Sequence, residues 1–465
     1  MKDLFNSGER MVLATMVCAL VCIVLAILVG AVGALYYIPG IGRAMAGAGV
    51  SLVQLRPLHT TFASAWIYLG CVACIYSYLA YAHGPPTAGE RRRFRIHMVC
   101  WGLAGLGALV TLPFGIGSGR EYLGIHPALS VLILAGWICF LWTYIGRIRR
   151  GFWQQPAYVY MWTSGALFFV YTFTEGHAYL LPFVKSHPVA DLQIQWKSCG
   201  TLVAAFNQMV YGTIAYVGER VTGDKRIGQS RAAFALFGIG LLNSFTNYVH
   251  HTYHLPQDSA LKWIAFLVSM IEIVFVWNML REVIAKTDGP RAPYRTFVTS
   301  TRFFTLSKNW NLLLLPVALL ISVPQLNSII HGTHVVMAHA MGSELAIDTY
   351  VLLGAFSFLL TQYFPKREVV DEVIDGPAVE RTILILNTSL IVLFATLMFR
   401  GLAVGVNRYL GEPMPAWLDD AFPAVFVISG LAMGYGLLRL ILCWVPLFTD
   451  ARTHKLFTEP SAQAS

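Results

Sequence analysis

Apolar residues along this chain come in long, nearly unbroken runs, and the polar residues collect in short gaps between them. A helix that crosses a bilayer needs about 20 mainly apolar residues. Moved along the sequence, that template predicts about twelve spans, near 10–38, 59–83, 95–116, 127–147, 157–184, 195–219, 230–254, 259–280, 308–330, 334–363, 380–402 and 420–447. Gly, Pro and charge punctuate the breaks, as in Gly84-Pro85-Pro86 and Lys185-Ser186-His187-Pro188. No gap is long enough for a soluble domain and no internal repeat is visible, so one all-α, polytopic membrane domain over 1–465 is expected. The first apolar run, about 28 residues, exceeds the core of a cleaved signal and is expected to stay as the first span.

Composition sharpens this picture. Of 465 residues, 56% are hydrophobic and only 12% charged, about half the roughly 25% of a soluble globular protein. A soluble enzyme, a disordered protein and a nucleic-acid binder are all excluded. The net charge of +9 is explained by topology. Basic residues follow the even-numbered spans: Arg91-Arg92-Arg93-Phe94-Arg95, Arg147 with Arg149 and Arg150, Arg220 with Lys225, Arg226 and Arg231, the Arg281–Lys308 segment, and Lys366-Arg367. The opposite loops hold few, so the positive-inside rule places both termini in the cytoplasm, and no nucleic-acid partner is needed. The eight cysteines all lie within or beside apolar runs; even Cys71-Val-Ala-Cys74 reads as small buried apolar residues rather than a redox pair.

With the topology set, the depth of each histidine follows. His59 opens the second span, His177 lies late in the fifth, His250 and His251 close the seventh, and His339 lies near the start of the tenth. All fall toward the outer side at comparable depth. Singly, each reads as a structural hydrogen-bonding histidine; several meeting in one layer read as ligands, because ionisable groups inside a membrane are costly. Neutral imidazole ligates haem iron, copper and non-haem iron, so redox chemistry is expected. Consecutive helical residues diverge by about 100°, so His250 and His251 share one ion only if it sits off the helix end. His339 and Met341, two apart, face nearly opposite sides and suit two haems standing either side of one helix, since Met sulfur and His nitrogen both serve as axial donors.

These motifs resemble the haem-copper oxidase superfamily, and among its members the large subunit of cytochrome-dependent nitric oxide reductases. Arg56-Pro57-Leu58-His59-Thr60-Thr61 resembles the segment whose histidine ligates a low-spin haem. Gly119-Arg120-Glu121-Tyr122-Leu123 resembles a segment beside haem propionates, which implies a propionate role for Arg120 and a calcium ligand in Glu121. Val249-His250-His251-Thr252-Tyr253 resembles the histidine pair on the non-haem metal, and His331-Gly332-Thr333 with Ala338-His339 the run holding the high-spin haem's proximal ligand. Lys262-Trp263-Ile264 leading to Glu272 resembles a segment whose glutamate lies close to the active site.

The chain also departs from the pattern. Met341 stands where the family has a second histidine, which implies a low-spin haem on His59 and Met341; methionine for histidine raises a haem's potential. In span 6 the family's metal-binding histidine falls at Cys199 or Gly200 and its glutamate near Val203. His177 is the expected replacement third ligand, with a bond to a propionate or a backbone carbonyl as its alternative. Glu175 is a ligand or proton carrier, and Cys199 a source of thiolate. With the carboxylate gone, the metal is either iron or copper.

The resemblance implies reduction of two NO to N2O and water, with electrons entering at the low-spin haem and Glu272, with Glu175, handling protons in the pocket. No Cys-x-x-Cys-His motif is present, so both haems are expected to be b-type. An electron donor of the cytochrome c or cupredoxin type is the expected partner. Glu272 and Ser244 (which stands where some oxygen reductases have a crosslinked tyrosine) favour NO over O2. An oxygen reductase, an NO dismutase, and a metal- or haem-binding transporter or sensor remain the rivals.

Overall fold

The computed structural model describes residues 6–449 apart from 254, 288–296 and 365. Arg291 and Arg295 of the basic segment lie outside those residues. Within them the chain is helical, with no strand. Twelve long helices follow the expected spans in order: α1 (Ser7–Leu35), α2 (Leu52–His83), α3 (Ala88–Thr111), α4 (Pro127–Ile148), α5 (Ala157–Glu175), α6 (Pro188–Thr222), α7 (Arg231–Thr246), α8 (Ser259–Thr287), α9 (Val298–Ser322), α10 (His334–Tyr363), α11 (Pro377–Leu410) and α12 (Ala416–Thr449).

Ten of these are long and apolar enough to cross a membrane. The exceptions are α5 and α6, whose hydroxyl, amide and aromatic side chains lower their hydropathy. They pack against each other and bury those polar groups: the Trp162 indole donates to the Met209 carbonyl at 3.0 Å and Tyr68 of α2 donates to the Leu202 carbonyl at 3.0 Å. Without water, each such group must find an internal partner.

Three expected spans end early: the seventh gives way after Thr246 to a 3-10 turn, and the other two stop for a local reason. Pro324 forces Val323 into an extended conformation (ψ 117°), so α9 stops at Ser322 and Pro324–Ile330 forms a separate short helix. The fifth span ends at Glu175, followed by a tight turn Ala178–Leu180 and a new start at Pro182. His177 therefore lies beyond the helix rather than in it.

The centre of the bundle is α10 and α2. Of their apolar windows 89% and 83% is buried, against 22% for α3, which faces outward. Trp66 of α2 donates to Thr349 of α10 at 3.1 Å. Immediately after Met341, α10 widens into a π-helical stretch, Gly342–Thr349, a distortion that recurs at functional sites. At the end of α2 away from His59, Arg147 pairs with Glu90 at 2.6 Å and donates to the carbonyls of His83 and Pro85, closing the helix terminus.

Candidate redox centre

His59 lies two turns into α2, against α1. Its Nδ1 stands 2.8 Å from the Ala26 carbonyl. A neutral imidazole that donates there keeps the Nε2 lone pair free and fixed in direction, the posture of an iron ligand. The approach depends on Gly30, where a Cβ would come within 2.9 Å of the ring.

At the end of α7 the chain tightens into a 3-10 turn, Asn247–His251. Asn247 donates to the Gly200 carbonyl at 3.1 Å, and a Cβ on Gly200 would meet the Tyr248 backbone at 2.6 Å. The turn brings the His250 and His251 rings to 4.2 Å between centroids, and His251 stacks on Trp196 at 5.8 Å. Gln257 braces the turn by donating to the Val249 carbonyl at 3.2 Å. His339 of α10 lies within electrostatic reach of both rings. Nδ1 of His250 and Nδ1 of His339 are buried with no partner. Buried polar atoms are normally satisfied, so a histidine cluster with orphaned nitrogens fits bound metal and haem. Met341, two residues on from His339, is half-buried against the core.

The structure does not group His177 with this pair. Among the described residues no set of three or more His, Cys, Asp or Glu is arranged to hold one ion. Nδ1 of His177 stands 2.7 Å from the Phe173 carbonyl, with its ring between Phe173 and Tyr179. The turn after Glu175 folds the ring back over α5, where it takes the same kind of carbonyl anchor at Nδ1 as His59 does. The buried Nε2 of His177 has no partner. Glu175 is engaged too: Lys197 pairs with it at 2.5 Å and Tyr171 donates to it at 3.1 Å. Cys199 turns its thiol toward the Glu121 carbonyl at 3.2 Å while the neighbouring Gly200 faces Tyr248. From α6 it therefore faces the Arg120–Glu121 loop.

That loop is strongly tied. Arg56 pairs with Glu121 at 2.8 Å; Arg120 pairs with Asp191 at 2.9 Å, donates to Gln195 and lies over the Tyr179 ring. Tyr122 adopts a left-handed conformation (φ 55°), alone among the described non-glycine residues. It donates from its hydroxyl to Glu344 of α10 at 2.7 Å.

Glu272 of α8 is 7% exposed; the Asn243 amide donates to it and Tyr211 of α6 stands against it. Two further acids, the half-buried Glu344 and the buried Asp348, lie on the π-helical stretch and did not emerge from the motif reading. Their signal was present: carboxylates four apart in an otherwise apolar span, where an ionisable group is a functional candidate by default.

Over residues 10–433 the chain matches the family described as Cytochrome C and Quinol oxidase polypeptide I. The chain belongs to this family. It is 20% identical over 337 residues to the Cbb3-type cytochrome c oxidase subunit CcoN1 of Stutzerimonas stutzeri, covering 69% of this chain and 68% of that one. A heme-copper terminal oxidase dimer solved by cryo-EM shares its fold with a TM-score of 0.72 at 13% identity, over 99% of this chain and 86% of the other. Membership makes this a multi-pass membrane oxidoreductase of the haem-copper respiratory type, a class that carries haems and a metal centre and takes electrons from cytochrome c or quinol.

Proposed function

We propose that this subunit reduces two NO to N2O and water with two electrons and two protons. The observation that carries the reading is Glu272, a buried carboxyl on α8 held by Asn243, the residue before Ser244, which by the resemblance stands where some oxygen reductases have a tyrosine. Ser244 donates to the Gly240 carbonyl at 3.0 Å and offers no phenol.

His59 and Met341 hold a low-spin haem, His339 a high-spin haem, and His250 with His251 the non-haem metal, iron or copper. When bound, these groups supply the electrons and the sites at which NO is held and reduced. The chain does the rest. The Ala26 carbonyl fixes the tautomer of His59, Trp196 fixes the plane of His251, and Asn243 orients Glu272. Glu272 gives protons to the forming product, a role for which a carboxyl within one hydrogen bond or one water of the pocket is suited. Arg120 and His177, on either side of Tyr179, face the propionate side, and Glu121, whose carboxylate Arg56 holds at 2.8 Å, is the expected calcium ligand. Both haems are b-type, a cytochrome c or cupredoxin donates the electrons, and both termini lie in the cytoplasm of a bacterium.

A second reading, oxygen reduction, draws support from the likeness to a cbb3-type oxidase subunit. Purified complex given reductant and either gas separates the two: the proposal expects NO loss with stoichiometric N2O, and faster O2 consumption would overturn it.

A further inference from the structure

The mechanism above uses Glu272 but leaves a buried acidic file unexplained. Tyr122 of the loop donates to Glu344 of α10, Asp348 lies four residues further along the same helix, and Glu272 of α8 and Tyr211 of α6 lie within electrostatic reach of Asp348. Asp348 is 1% exposed and its Oδ2 is buried with no partner. None of the ion pairs among the described residues involves Glu272, Glu344 or Asp348. The groups that act on Asp348 are Glu344 on its own helix and Glu272 from α8; Tyr211 of α6 and Cys71 of α2 also feel it. From α9 and α11, which pack on the same stretch, no charged group acts on it among the described residues.

An unpaired carboxylate in a membrane interior is poorly solvated and repelled by its neighbours. A bound cation or a proton removes both penalties. The ligand spacing for a cation is absent among the described residues, which leaves the proton. Glu344 and Asp348 are four apart on one helix, so their Cβ atoms lie roughly 5–6 Å from each other, within reach through one water. Tyr122 already touches Glu344 at 2.7 Å, and its strained backbone aims the phenol at the file.

We propose that Asp348 is the proton-holding group of a buried relay, loaded from the Tyr122–Glu344 side and exchanging its proton with Glu272 as the redox centre is reduced. In each transfer one carboxyl O–H breaks and one forms, leaving the donor as carboxylate until water returns a proton to it. The two protons consumed per pair of NO supply the net flow. The proposal deepens the redox reading and rests on it.

The test uses purified, haem-loaded protein. Proton uptake on full reduction is followed with a pH indicator, and redox-difference infrared spectra are recorded in H2O and D2O. Asp348→Asn, Glu344→Gln and the exposed control Asp420→Asn are compared with wild type, with haem spectra as the check on folding. Wild type should show a deuterium-sensitive carboxyl band that Asp348→Asn abolishes. The same variant should take up about one proton fewer, with turnover down on the order of 10²-fold. Haem-loaded Asp348→Asn with unchanged uptake and band overturns the proposal. If that variant loses its haems, a wild type without a deuterium-sensitive carboxyl band overturns it instead. A wild type that binds no haem overturns the redox reading and this relay with it.

Discussion

Replacing Gly30 with alanine sets two effects against each other. Inside a helix alanine is favoured over glycine by about 0.5–1 kcal/mol, so the apoprotein should gain stability. The new methyl, however, would stand 2.9 Å from Nδ1 and Cε1 of His59, about 0.6 Å inside a carbon contact of roughly 3.5 Å. The ring must retreat by that amount. Taken along the 2.8 Å bond to Ala26, the retreat lengthens it to about 3.4 Å, the edge of a hydrogen bond. Losing the group that orients a ligating histidine typically weakens metal affinity about 10–100-fold, or about 1.4–2.8 kcal/mol. Gly30→Ala should therefore lower low-spin haem content and shift its reduced-minus-oxidised band, with the helix gain offset by the weakened bond to Ala26, itself about 0.5–1.5 kcal/mol. Gly33→Ala is the control, since the nearest atom there is Leu52 Cδ2 at 3.9 Å. A Gly30→Ala protein with wild-type haem content and spectrum would refute the assignment of His59 as an iron ligand positioned by α1.

Other expectations follow from the same structure. Glu272→Gln should reduce NO turnover by roughly 10²–10⁴-fold with haem and metal content unchanged; turnover within threefold of wild type removes Glu272 from proton delivery. Arg147→Ala strands the mostly buried Glu90 and should lower stability by about 3–5 kcal/mol, and thermal unfolding in detergent would show a matching fall; Glu90→Gln with Arg147→Met should recover part of it. The Asp224 carboxyl, on the loop after α6, is held well below its usual range by hydrogen bonds from Arg226, with Lys286 of α8 adding to them. A depressed folded-state pKa contributes stability above the unfolded value that is lost as pH falls through the folded one. Wild type should thus weaken in strong acid through this site, and Asp224→Asn should show a flatter acid limb in a stability–pH titration.

The spans were legible because a bilayer demands long apolar runs, and the twelve long helices fall where those runs predict. Two features hid from that pattern. The breaks at Pro324 and after Glu175 depend on a single residue's backbone restriction, which a hydropathy window averages away. The interior helices α5 and α6 carry polar side chains that face partners rather than lipid, so their hydropathy understates their depth. In the centre itself, motif spacing pointed to His59, the His250–His251 pair and His339. The placement of His177 was not legible, because it turns on the carbonyl of Phe173 rather than on depth. Glu344 and Asp348 went unnoticed because the motifs drew attention to His339 and Met341, and the π-helical widening that gathers them leaves no mark in periodicity.

The central claim is that imidazoles from α2, the turn after α7 and α10, with Met341, hold two haems and an adjacent metal. Its most direct test is haem and metal stoichiometry, by optical spectrum and elemental analysis, on wild type and on the His250→Ala/His251→Ala double variant. Wild type should carry two spectroscopically distinct haems and one further metal ion, and the double variant should lose the ion while keeping both haems. A single haem in wild type, or a double variant that retains the metal, would contradict the account.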